Sequence, residues 1–155
     1  MAYQKLQTSQ AIQVIKDDNI IIPVPNQVAS GSTTAGTANK LTDSAAKFKT
    51  TASIGDVIYS GTGAVRNAIT TVTAVDSDTV LTVATGVAIT KNYNIYSQGL
   101  NEGCILYIGA DGNVVVETAG GNEVTFTGVV AGTFMPVQVL KVKANTTATD
   151  IIAMW

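Results

Sequence analysis

Short β-branched runs broken by small polar turns set the rhythm of this chain, most plainly in its last third. Cys104-Ile105-Leu106-Tyr107-Ile108 runs into Gly109-Ala110-Asp111-Gly112-Asn113, and Val114-Val115-Val116-Glu117-Thr118 follows. Ala119-Gly120-Gly121-Asn122 then leads into Glu123-Val124-Thr125-Phe126-Thr127. Asp-Gly and Gly-Gly supply the positive φ angles that tight hairpins need, so the pattern predicts strand, turn, strand, turn. The stretches 133–142 and 151–155 add two further strands. The only tryptophan, Trp155, is the final residue, and a ring of that size predicts a docked chain end.

Upstream, Ala11-Ile12-Gln13-Val14-Ile15 and Ile20-Ile21-Ile22-Pro23-Val24-Pro25 flank a polar turn at 16–19, which predicts a strand on each side. Pro23 and Pro25 donate no ladder hydrogen bond, so they end the second strand or place it at an edge. Residues 29–40 are small and polar and read as a linker or exposed loop. Thr42-Asp43-Ser44 is placed to cap one helical turn carrying Ala45, Ala46 and Phe48. Ile54-Gly55-Asp56 reads as a turn entering a strand at Val57-Ile58-Tyr59. Residues 68–75 form a long strand, Asp76-Ser77-Asp78 turns it into 79–83, and 92–96 returns as the last strand of this stretch.

Two polar joints, near 29 and near 97–102, therefore divide the pattern. The expected fold is all-β: an antiparallel β-sandwich or roll from 1–28 plus 98–155, with a small β-barrel-like domain, 29–97, inserted. Residues 1–10 form an N-terminal arm whose only sizeable apolar side chains are Tyr3 and Leu6. The inserted domain is expected to bury Phe48, Ile54, Val57, Ile69, Val72, Val75, Leu81, Val83, Tyr93 and Ile95.

Charged residues make up only 13% of the 155-residue chain, against about a quarter in an average soluble protein. Little charge repulsion keeps copies apart, which suits a protein packed against neighbours. The net charge is −2 and the lysines are scattered, so there is no positive footprint to displace counterions from phosphates, and nucleic acid is not an expected partner. The apolar runs fall far short of the ~20 residues that cross a bilayer as a helix, and the N-terminus carries no apolar signal core, so neither a membrane nor a secretory route is expected.

Candidate chemistry is sparse. The chain has no histidine, which excludes His-based triads and His metal sites, and the single cysteine, Cys104, allows neither an internal disulfide nor a thiolate cage. Cys104 heads an apolar strand and reads as buried and inert. Asp76 and Asp78 sit in a hairpin turn, where two carboxylates make at most a weak calcium site. Glu117 and Glu123 could face each other across the Gly120-Gly121 hairpin, a solvated cross-strand position with mild repulsion. Tyr59, Tyr93, Tyr96 and Tyr107 fall at strand positions and read as core or rim residues, with a sugar-binding face as the alternative. No enzyme activity, cofactor or metal is expected.

Several segments together resemble a known family: Ile22-Pro23-Val24-Pro25-Asn26, Leu41-Thr42-Asp43-Ser44-Ala45-Ala46-Lys47-Phe48, Ile54-Gly55-Asp56-Val57-Ile58-Tyr59, Gly103-Cys104-Ile105-Leu106-Tyr107-Ile108-Gly109 and Thr146-Thr147-Ala148-Thr149-Asp150-Ile151-Ile152-Ala153. They are similar to tailed-phage virion structural proteins, most common in marine and cyanobacterial phages. The C-terminal block, with Gly120-Gly121, Thr125-Phe126 and Pro136-Val137, also resembles phage head spike-base proteins. Asn145 and Met154 depart from that pattern, where the family has glycine and leucine. The resemblance implies a capsid decoration, or cement, protein of the virion surface. Such a protein binds the outer face of the major capsid protein shell and stabilises the head by multivalent contact, as a cyclic homo-oligomer, a trimer. Expected interface residues are Tyr3 and Leu6 in the arm, then Phe134 and Trp155. The alternative is a head spike-base, tail or fibre-attachment protein, with host-glycan binding as a further role.

Overall fold

β-branched and aromatic runs become strands here because their side chains pack well on a pleated surface, and Gly, Asn and Asp interrupt them. A computed structural model describes residues 8–35, 37–61, 68–85, 91–98 and 101–155. Its elements in chain order are β1 (Ala11–Gln13), β2 (Gln27–Ser32), β3 (Lys40–Thr42), α1 (Phe48–Thr51), β4 (Val57–Gly61), β5 (Ala68–Val75) and β6 (Val80–Val83). Then come β7 (Asn92–Tyr96), β8 (Cys104–Ala110), β9 (Gly112–Thr118), β10 (Glu123–Val129), β11 (Thr133–Val142) and β12 (Thr149–Met154). The fold is all-β, in two antiparallel six-stranded sheets. The chain divides into two compact units: unit 1 is Met1–Pro25 with Asn101–Trp155, and unit 2 is Asn26–Leu100. These boundaries lie within about three residues of those read from the two polar joints.

In unit 1 the strand order is β1-β12-β8-β11-β9-β10. Ile108 pairs with Ile151 and Leu106 with Ala153, and all four are buried. Ile12, Val14, Val114, Val116, Val139 and Val142 are buried in this unit as well. Ile20–Pro25 forms no strand. One backbone bond, from Ile22 N–H to Leu140 C=O at 2.9 Å, anchors that stretch. Its two prolines leave too few donors for a ladder.

The Asp-Gly hairpin expected at 111–112 does not exist as a pair. β8 and β9 are consecutive in sequence, but β11 lies between them, its first half on β8 and its second half on β9. The pairing shifts between Met135 and Val139, a stretch that includes Pro136. Gly112 is required for a different reason: a Cβ there would lie 2.7 Å from Ala148 Cα and 2.8 Å from the Thr147 carbonyl carbon. The Gly120-Gly121 hairpin does form, with Gly121 at φ 81° and Thr118 N–H bonded to Asn122 C=O at 2.9 Å.

Unit 2 has the order β2-β7-β4-β5-β6-β3. Thr34 N–H donates to Thr42 C=O at 2.8 Å and Ala35 bridges Thr42, so the chain beyond one edge strand returns to the other and the sheet curls on itself. Leu41, Phe48, Ile58, Val72, Leu81, Val83, Tyr93 and Ile95 form its core. Of the expected core, Val57 is also buried, and Ile69 and Val75 are half-buried. Ile54 is 70% exposed and is a correction. It belongs to the turn before β4, where Gly55 has φ 95°, and not to the alternation of the strand.

Two further readings are corrected here. Part of the presumed linker is strand β2, paired along β7 from Gln27↔Tyr96 to Ser32↔Asn92. A side chain at Gly31 would place its Cβ 2.6 Å from Tyr93 Oη, so close packing selects the small residues that resemble a loop. Asp43 does not cap α1. Its Oδ1 accepts from Ala45 N–H at 2.9 Å in the preceding turn, and Lys47 precedes the helix without a side-chain cap.

Candidate contact surfaces

Alternation on the central strands of unit 1 sends one set of side chains into the core and the other to the opposite face. On that opposite face Phe134 of β11, Tyr107 of β8, Ile152 of β12 and Gln13 of β1 lie in one cross-strand row. Ile105, Met154 and Ala11 form the next row. Solvated faces of antiparallel sheets are usually polar. Here Tyr107, Ile152, Ile105 and Met154 are only half-buried, and Phe134 is 60% exposed. The Phe134 and Tyr107 rings are 5.1 Å apart at 57°, which holds the exposed ring in place.

Phe134 is thus an expected site residue on a larger apolar surface. Sequence reading missed its companions, although the unbroken apolar run of β8 signals a strand apolar on both faces. Trp155 has other partners. Its backbone N–H donates to Gln10 C=O at 3.0 Å, its C=O accepts from Ser9 N–H at 2.6 Å, and its Nε1–H donates to Asn101 Oδ1 at 3.2 Å. Asn101 Nδ2–H in turn donates to Ile22 C=O at 2.8 Å. The half-buried indole closes unit 1 against its own chain, so the end is docked. Tyr3 and Leu6 lie outside the described residues.

Several charged groups of unit 1 pair with one another. Glu117 and Glu123 do oppose each other across the hairpin. Their repulsion is offset by Lys141 at 3.0 Å and Lys143 at 3.2 Å from Glu117, and by Lys143 at 3.5 Å from Glu123. Hydrogen bonds from Lys141 and Lys143 hold the Glu117 carboxyl below the ordinary glutamate range, and Glu117 raises Lys143. A depressed carboxylate contributes stability that is present above its unfolded pKa of about 4.3 and is lost as pH falls through the lower folded value. The melting temperature should therefore drop on acidification below about pH 4.3, and Glu117→Gln should flatten that limb; parallel limbs in the two proteins would refute the assignment.

Asp76 is engaged by Lys40 and Thr82, each at 2.8 Å, and the Lys40 hydrogen bond lowers its pKa. Among the described residues no group of three or more His, Cys, Asp or Glu side chains could hold a metal ion. Cys104 is buried with Sγ 3.3 Å from Val139 C=O, and burial pushes its thiol up to about 12. In unit 2 an open groove of about 560 Å³ is lined by Val28 and Ser30 of β2 and by Ala46 and Thr51. Asp43 and Tyr93 line it, and the Tyr93 hydroxyl donates to Asp43 Oδ2 at 2.6 Å. Tyr59, Tyr93 and Tyr96 are buried. No helix among the described residues is long and apolar enough to cross a membrane.

Of these features the apolar sheet face is suited to contact, whereas Trp155 and the Glu117–Lys143 cluster are engaged within unit 1. Comparison with protein-family models, with curated proteins and with solved structures returns no match.

Proposed function

We propose that this chain is a tailed-phage virion structural protein, a decoration protein of the head. It binds the outer face of the major capsid protein shell and associates as a trimer at three-fold positions. The observation that carries the reading is the apolar row Phe134–Tyr107–Ile152 on the side of the unit 1 sheet away from its core. In a chain with only 13% charged residues, such a face is a surface to be covered. Each copy contributes a modest contact, and several copies bound together multiply it. The resemblance of the turn and strand motifs to virion proteins points the same way.

Adding purified protein to undecorated heads and measuring co-sedimentation tests the proposal. Phe134→Asp should lower the affinity by about tenfold or more, because a desolvated aromatic anchor is replaced by a charge. Folding should be intact, since the side chain points outward. Equal occupancy by the variant, or failure of the wild type to bind any shell, would count against this reading. Density at a tail or vertex instead of across the shell would redirect it to another virion part.

A further inference from the structure

Strand β10 is an end strand of its sheet, bonded on one side to β9, and none of its seven residues is buried. Val124, Thr125 and Thr127 are exposed and Phe126 is half-buried, so apolar and threonine side chains meet solvent on both faces. The direction of its backbone groups follows from its neighbour. Val115 N–H donates to Thr146 Oγ1 at 2.9 Å, and Val115 C=O accepts from Lys143 N–H at 2.9 Å. Neither group is turned toward β10. Thr125 is the cross-strand partner of Val115, so its own N–H and C=O point away from β9, to the free edge. Alternation puts those of Glu123 on the same edge.

Free edges are normally protected by lysine, proline or a bulge. From Glu123 to Thr127 there is no lysine and no proline. The register shift between Phe126 and Val129, with Gly128 at φ 63°, ends the regular ladder after Phe126. Among the described residues a regular open edge therefore spans 123–126, with the outward groups of Thr125 within it.

We propose that β10 pairs antiparallel with β10 of a second copy about a two-fold axis at Thr125. In that register Thr125 opposes Thr125 of the partner subunit, Val124 opposes Phe126 of the partner subunit, and Glu123 opposes Thr127 of the partner subunit. The outward groups of the two Thr125 residues make the central rung of about two main-chain hydrogen bonds, and those of Glu123 extend the ladder on either side. Aromatic against β-branched and threonine against threonine are favourable cross-strand pairs. The two Glu123 carboxylates sit about 14 Å apart along the ribbon, and Lys143 already neutralises each one. A two-fold axis one residue further along would draw the Gly128 kink into the ladder. The contact is independent of shell binding: its rungs join single copies, or one trimer to the next.

Sedimentation of the full chain over a concentration series tests this, together with Thr125→Lys, which sets two like charges on the axis. The wild type should show an association step that the variant loses, with the same melting temperature in both at concentrations below that step. Oxidised Thr125→Cys should form a covalent dimer, because bonded antiparallel pairs place their Cα atoms about 5.5 Å apart, within disulfide reach. Glu123→Cys should not, and buried Cys104 leaves the new thiol as the reactive one. A wild type that shows no association step, a Thr125→Lys variant that associates like the wild type, or equal cross-linking at 123 and 125 would overturn the proposal.

Discussion

Leu106→Ala is expected to lower the unfolding free energy by about 2–5 kcal/mol, a large part of the 5–15 kcal/mol that a domain holds. Leu106 is fully buried on β8, a strand paired on both sides. Its register neighbours are Met135 on β11 and Ala153 on β12. Ala153 is too small to fill the void, and two hydrogen-bonded flanks stop the backbone from closing in. The cost therefore includes a cavity as well as lost transfer free energy. In urea, the midpoint should fall while the slope is unchanged, since the native surface is the same. A midpoint within error of the wild type would mean that β8 does not run through the core.

Tyr93→Phe should cost about 1.5–3 kcal/mol although it removes a single oxygen, because a buried carboxylate loses its hydroxyl donor. Tyr93 and Asp43 are both buried, and their bond is 2.6 Å long. The open groove that Asp43 and Tyr93 line gives water a route to the freed oxygen, which favours the lower end of that range. Burial first, and then the bond to Asp43, raise the Tyr93 pKa. A raised folded pKa contributes stability that is complete below the unfolded value of about 10 and is lost as pH rises through the folded one. The wild type should therefore lose stability above about pH 10, and Tyr93→Phe should lose less over that interval while starting lower. Identical melting temperatures at neutral pH would show that the bond contributes nothing.

Much of this fold is legible locally. β5, β6, β7 and β10 stand where alternation and β-branching placed them, and the Gly120-Gly121 turn joins its two strands. The exposure of Phe134 and the docking of Trp155 follow from the same kind of reading. β2 was hidden because Ala29-Ser30-Gly31-Ser32 has the composition of a loop. Its strand conformation comes from β7, and its small residues come from the proximity of Tyr93. Ile54 misled because strand periodicity was carried back through a turn. On the apolar face, Phe134 reads from the sequence as an exposed ring and Tyr107 as core or rim, while Ile105, Ile152 and Met154 fall within strand runs whose outward side the sequence does not mark.

By itself, then, the chain's order of residues determined the all-β class, the turn positions, the two joints and the scarcity of catalytic groups. Each of these depends on neighbours a few residues apart. The tertiary structure alone decided that β11 separates β8 from β9, that Lys141 and Lys143 neutralise the facing glutamates, and which side of an apolar strand meets solvent. Those outcomes depend on pairing between distant segments, and local alternation is the same whichever face of the strand is buried.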